Sequence, residues 1–204
     1  MIVAVVLFTA SCNKDFLKEE LTTARTTDFY KTDAGIQQLS VGTYYQVFNV
    51  PFNGEWIYAA TNYGTDEFHV GGDPSNGPWN NYDANFNSTV IGTNTNVASS
   101  NFQWDALYTG IGDANLLIDN CKNSTSTSPA VKNTALGEGY FMRAYNYLRL
   151  VSQYGAIPLQ TTPISSIQLE FTRATPKDVC AQIIDDLKNA GYEVLWPNLP
   201  GINK

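Results

Sequence analysis

"EGYFMRAYNYLRLVSQYGAIPL", residues Glu138–Leu159, is the stretch on which the fold turns. With Leu136 just upstream, its residues Tyr140, Ala144, Tyr147, Leu148 and Val151 recur at three- and four-residue steps. A helix of 3.6 residues per turn returns a side chain to the same side at those intervals, so the pattern predicts one buried helical face, ending before Gly155. Tyr140, Tyr145, Tyr147 and Tyr154 together suggest a sugar-binding stripe. At helical spacing, however, they read as packing residues between scaffold helices. Arg143 and Arg149 either bridge helices or face solvent.

Three further helical blocks surround this one. "TDAGIQQLSVGTYYQVF" (residues 32–48) opens on the cap residues Thr32 and Asp33 and sets Ile36, Leu39, Thr43 and Val47 on one face, widened by Tyr44, Tyr45 and Phe48. "FQWDALYTGIGDANLLIDNC" (102–121) places Trp104, Leu107, Tyr108, Ile111, Asn115 and Ile118 on a broad face before "NSTSTSP" breaks the pattern. In "ATPKDVCAQIIDDLKNAG" (174–191), Thr175 is an N-cap, Pro176 suits the first helical position and Asp178 complements the positive end of the helix dipole. Cys180, Ile183, Ile184, Leu187 and Ala190 form the expected apolar face, and Gly191 is the expected stop. Between the first and second blocks lies "GTDEFHVGGDPSNGPWNNYDANFNSTVIGTNTN" (64–96), rich in Gly, Asn, Asp and Pro. Such residues favour turns, and a loop of this length inside a domain is usually functional or disordered. The predicted class is mainly α, with a long irregular loop region and little strand.

Composition narrows the function. The 204 residues are enough for one sizeable core. A net charge of -7 argues against a nucleic-acid partner, since phosphate binding needs a basic patch. Aromatics reach 13% and charged residues only 15%, a balance shared by extracellular carbohydrate binders and by large cores. At the start, the apolar run "MIVAVVLFTAS" is far shorter than the roughly 20 residues a membrane-spanning helix needs. It matches the apolar part of an export signal, with small residues Thr9, Ala10 and Ser11 before Cys12. The alternative is an ordinary N-terminal strand with a buried cysteine. Cys121 and Cys180 then remain: an oxidising compartment permits one disulfide, and their apolar helical settings equally allow two buried free thiols.

Taken in order, "SCNKDFL", "TDAGIQQLSVGTYYQVF", "WDALYTGIGDANLLID", "EGYFMRAYNYLRLVSQYGAIPL" and "RATPKDVCAQIIDDLKNA" resemble the N-terminal part of the SusD-like (RagB/SusD) family, the surface nutrient-binding lipoproteins of Bacteroidetes. The Arg-Ala-Tyr helix running into Tyr-Gly-x-x-Pro-Leu is the most specific of these. Gly137 and Gly139 depart from the better helix formers usual there, and Ala156 from a common acidic residue. The resemblance implies a scaffold of tetratricopeptide-like helix pairs and a separate irregular ligand surface. It also implies lipidation of Cys12 after removal of a signal peptide over residues 1–11. Residues 12–204 then form a SusD-like N-terminal region. Its implied partners are an oligosaccharide or polysaccharide and a SusC-type TonB-dependent outer-membrane transporter. No cofactor is implied. Family members are longer, and "LPGINK" falls where a further scaffold helix is expected, so the region reads as a truncated domain.

The loop segment "WNNYD" carries the expected glycan contacts. Sugar rings present apolar faces to aromatics and hydroxyls to amides and carboxylates. Trp79 and Tyr82 would act as platforms, Asn80 and Asn81 as amides and Asp83 as acceptor; the family implies a role for an aromatic and an asparagine in this region, here Trp79 and Asn81. The alternative is that Trp79 anchors the loop to the core. The cluster of Asp66, Glu67, His69 and Asp73 reads as a solvated acidic loop. His69 is the only histidine, so it forms no multi-histidine zinc site. No carboxylate pair is marked at the separation a glycoside hydrolase requires. The expected protein is a non-catalytic, lipid-anchored binding subunit; the alternative is a helical scaffold that binds only the transporter.

Overall fold

The structure, a computed structural model, describes residues 28–49, 62–69 and 99–191. Within them run helices α1 (Asp33–Tyr44), α2 (Ser99–Asn123), α3 (Pro129–Tyr154) and α4 (Pro176–Ala190), with two-residue strands β1 (Ile157–Pro158) and β2 (Arg173–Ala174). A 3-10 turn, Phe29–Lys31, precedes α1, and a π-helical turn, Tyr45–Asn49, extends it. The chain is mainly α, as the periodicity predicts.

Helices α2 and α3 form the central hairpin. Only five residues, 124–128, join them, and short connections fold helices back on one another. Facing positions run in opposite directions: Lys132 donates to the carbonyl of Lys122, Gly139 lies against Ile118, and Arg143 meets Asn115. Half of the core fills the loop end of this hairpin, where Ile36 and Val47 of the first helical block pack on Leu117, Ile118, Cys121, Leu136 and Met142. The other half fills the open end, where Val179 and Ile183 of α4 and Ile157 of β1 pack on Leu107, Ile111, Tyr147 and Leu150.

The termini follow local chemistry. Thr32 caps α1 by accepting from the Gly35 amide, and Asp33 accepts from the Ser128 amide at 2.6 Å, tying the helix start to the hairpin loop. Thr175 caps α4 through the Asp178 amide. Gly155 ends α3 with φ 69°, a left-handed setting that Gly adopts without steric cost. Gly191 is the C-cap of α4, as expected, but with φ -63° it uses no left-handed setting.

Four burial expectations are corrected. Leu148 is about half exposed, and Leu150 takes its place in the core. Tyr44 and Tyr45 are exposed rather than widening the buried α1 face. On α4 the buried stripe is Val179, Ile183, Asp186 and Ala190, leaving Ile184 and Leu187 about half exposed. Cys121 is a buried free thiol, whereas Cys180 is a free and exposed one. The α4 stripe keeps helical spacing but is rotated, because a buried arginine on α3 requires Asp186 to face inward.

The departure at Gly139 has a packing reason, and Gly137 is buried beside it. A Cβ on Gly139 would stand 2.9 Å from Ile118 Cγ1. Across the hairpin, a Cβ on Gly110 would lie 2.7 Å from Asn146 Nδ2 and 3.1 Å from Val47 Cγ2. Gly42 and Gly112 have open space instead. Alanine at Gly110 or Gly139 should therefore destabilise by about 1–3 kcal/mol through overpacking. At Gly42 or Gly112 it should stabilise by roughly 0.5–1 kcal/mol, the ordinary helix-propensity gain. Urea unfolding of the four variants checks the opposite signs; a uniform gain would show that the helices are not this close.

Candidate functional site

The exit from α3 is stitched down by side chains from both hairpin helices. Tyr147 Oη donates to the Gln160 carbonyl at 2.7 Å and accepts from the Gln160 amide at 2.6 Å. Tyr108 Oη donates to the Pro158 carbonyl at 2.8 Å, and Asn115 Nδ2 donates to the carbonyls of Gln160 and Thr162. The same segment pairs antiparallel with β2, Ile157 opposite Ala174 and Pro158 opposite Arg173.

Beneath it lies a buried ion pair. Arg143 Nε and Nη2 donate to the two carboxylate oxygens of Asp186 at 2.8 and 2.6 Å. Arg143 Nη1 donates to Asn115 Oδ1 and to the Thr161 carbonyl, while Gln182 adds a third donor to Asp186. One guanidinium thus joins α2, α3, α4 and the exit segment. Of the two sequence readings of Arg143, the helix-bridging one holds.

Grooves on two sides of this scaffold are lined by described residues. The first, about 270 Å³, is lined along α2 by Trp104, Tyr108, Ile111, Gly112 and Asn115 and closed by the exit segment, with Ile164 and Phe171 at its walls. Trp104 is already engaged on several sides, at 4.8 Å from Tyr108, 5.0 Å edge-on from Tyr154 and 5.9 Å from the Arg173 guanidinium. The second, about 430 Å³, lies between α1 and α3, lined by Gln37, Ser40, Val41, Tyr44, Val131, Thr134 and Glu138.

Burial governs the tyrosine and cysteine chemistry. Desolvation pushes the Tyr147 phenol up to about 12, only partly offset by its hydrogen bond with Gln160 and by Arg143. Tyr154 rises to about 12 and the Cys121 thiol to about 11, again chiefly by burial. Tyr108 is raised still further by the same cause. These are shielded structural groups, kept neutral across physiological pH.

The expected site residues divide by location. Trp79, Asn81 and Tyr82, together with Asn80, Asp83, Asp73 and Cys12, lie outside the described residues. Asp66, Glu67 and His69 fall in an exposed turn at 62–69, where Thr65 Oγ1 donates to the Asn62 carbonyl and accepts from the Phe68 amide. Among the described residues no cluster of three His, Cys, Asp or Glu side chains is disposed to hold a metal. No described helix is long and apolar enough to cross a membrane. The sequence reading missed Asp186 and the groove around Glu138. An acidic residue at the centre of the Val179–Ile183–Ala190 stripe was the available signal for the first.

This mainly helical scaffold, with a stitched exit from its third helix, defines a fold that recurs in solved structures. One is NanU of Bacteroides fragilis, at 24% identity and TM-score 0.60, covering 84% of this chain and 33% of that one. Another is a SusD superfamily protein from Bacteroides vulgatus, at 19% identity and TM-score 0.64, covering 86% and 36%. In sequence, the chain is 24% identical over 198 residues to SusD-like protein P25 of Formosa agariphila, covering 91% of this chain and 36% of that protein. The SusD-like family profile described as starch-binding, associating with the outer membrane, matches residues 15–197. The chain belongs to the SusD-like family, and it spans about a third of the length of these relatives.

The ion pair and the phenols generate two expectations. Asp186→Ala should cost about 3–5 kcal/mol, because it leaves a buried guanidinium unpaired. The double variant Arg143→Met/Asp186→Leu should cost much less than the two single changes summed. Urea midpoints test this; strict additivity would mean the pair is not coupled. For Tyr147, the folded chain favours the neutral phenol, whereas an unfolded phenol ionises near 10. Its contribution to stability is therefore complete below pH 10 and lost as pH rises towards about 12. Tyrosinate absorbance should show late-ionising phenols, one fewer in Tyr147→Phe; unchanged late absorbance would contradict the burial.

Proposed function

We propose that the chain is the scaffold portion of a non-catalytic, cell-surface nutrient-binding subunit that takes up glycans together with a SusC-type TonB-dependent transporter. The family match over residues 15–197 carries the reading. It is supported by the tight pairing of α2 with α3 and of α3 with α4, which suits a tetratricopeptide-like repeat scaffold. In this reading lipidation at Cys12 anchors the protein to the outer membrane, and Trp79, Asn81 and Tyr82 supply glycan contacts.

A second reading, a scaffold that binds only the transporter, is favoured by one observation. Between β1 and β2 the chain exposes Ile164, Ile167, Leu169 and Phe171, with Ile167 and Leu169 each 90% accessible. A run of apolar side chains held in water marks a protein contact.

Two measurements decide. In a Gram-negative host, the wild type should carry palmitate label and enter the detergent phase, and Cys12→Ala should do neither; persistent label would refute the anchor. In calorimetry against soluble polysaccharides, Trp79→Ala should weaken binding by about fivefold, the worth of one stacked ring, without losing stability. Trp56→Ala should leave binding unchanged. If Trp79→Ala unfolds the protein, the tryptophan is a loop anchor; if wild type binds no polysaccharide, the scaffold-only reading stands.

A further inference from the structure

The two grooves differ in what their polar atoms have left to give. Along α2, Asn115 and Tyr108 spend their hydrogen bonds on Arg143 and the exit segment, so that groove offers a mostly apolar wall. Between α1 and α3 the wall is also largely apolar, but more of its polar groups are left over. Ser40, itself buried, donates its hydroxyl to Glu138 Oε2, which orients the carboxylate and leaves Oε1 for another donor. The Gln37 amide and Thr134 hydroxyl line the same groove. At one end stands Tyr44, its ring stacked on Phe48 at 5.6 Å and 38% accessible. Phe48 in turn stacks on Phe141 at 6.4 Å, so a short row of rings continues from the groove, with Phe141 accessible on α3.

We propose that the α1–α3 groove is a saccharide subsite, with Tyr44 as stacking platform and Glu138 as acceptor for ring hydroxyls. The inference rests on the glycan-binding reading and assigns that chemistry to residues of the scaffold helices. The volume of about 430 Å³ lies within the range of small-molecule sites. A pyranose satisfies both parts of the lining: its C–H face lies on an aromatic ring, and its hydroxyls meet carboxylate, amide and hydroxyl groups. An apolar helix docked there would leave the free carboxylate oxygen covered and unpaired, which is costly. Burial and the nearby Glu138 charge both hold the Tyr44 phenol in its neutral form, able to donate a hydrogen bond.

The test uses the intact protein, titrated calorimetrically with maltoheptaose, laminarin and xylan. For whichever of them the wild type binds, Tyr44→Ala and Glu138→Gln should each weaken affinity about fivefold or more, with thermal midpoints unchanged for Glu138→Gln. Phe171→Ala, in the other groove, should bind as wild type. Because Tyr44→Ala removes part of a ring stack, hydroxyl-radical footprinting of the wild type provides a second readout. Bound saccharide should protect Tyr44 and leave Phe171 reactive. Normal affinity in Glu138→Gln together with an unprotected Tyr44 would overturn the subsite while leaving glycan binding intact. Absence of binding to every saccharide by the wild type would overturn the glycan reading and the subsite with it.

Discussion

A single guanidinium holds the scaffold in register. Arg143 has both edges of its fork occupied, by Asp186 on one side and by Asn115 and the Thr161 carbonyl on the other. Transferring such a charge from water into a core costs several kcal/mol, and only a complete set of partners repays it. Those partners come from α2, α4 and the exit segment, so satisfying the charge fixes where each must stand. Apolar packing alone tolerates many arrangements of similar volume. The ion pair admits one, with Asp186 inward and Ile184 and Leu187 turned towards water.

Close approach of the hairpin helices makes this geometry reachable. Gly110 and Gly139 remove side chains where α2 and α3 touch, bringing Asn115 within 2.8 Å of Arg143. The Tyr-Gly-x-x-Pro-Leu exit follows from the same constraint. Tyr147, one turn beyond Arg143, pairs with both backbone groups of Gln160, while Gly155 reverses the chain so that Ile157 enters the core. The segment that made the family legible is thus the segment with the densest polar stitching.

Helix existence and limits were readable because they rest on local chemistry: the caps at Thr32 and Thr175, Pro176 at a helix start and Gly155 at an end. The stripes of α1 and α2 were readable because they follow hydropathy, with Ile36, Val47, Leu107 and Ile111 all buried. The face of α4 was not. Hydropathy ranks Ile184 and Leu187 above Asp186, and the reversal depends on a partner 43 residues away in sequence. Gly139 looked like a weakness in a helix because its value lies in what it stands against. The groove at Glu138 escaped notice for the same reason, since Ser40 and Glu138 meet across 98 residues. The loop residues Trp79, Asn81 and Tyr82 belong to the reading by sugar chemistry and by the family resemblance.

Helix α1 has its own fastenings to the hairpin: Asp33 to the Ser128 amide, the Lys31 carbonyl to Thr127, Ser40 to Glu138, and Val47 beside Gly110. None draws on the polypeptide between Asn49 and Ser99. These four fastenings are therefore independent of how long that interval is. Doubling the length of a loop costs only about 0.6 kcal/mol in closure entropy, so insertions there tax the scaffold little. A scaffold fastened in this way keeps its helices in register while one of its connections varies in length.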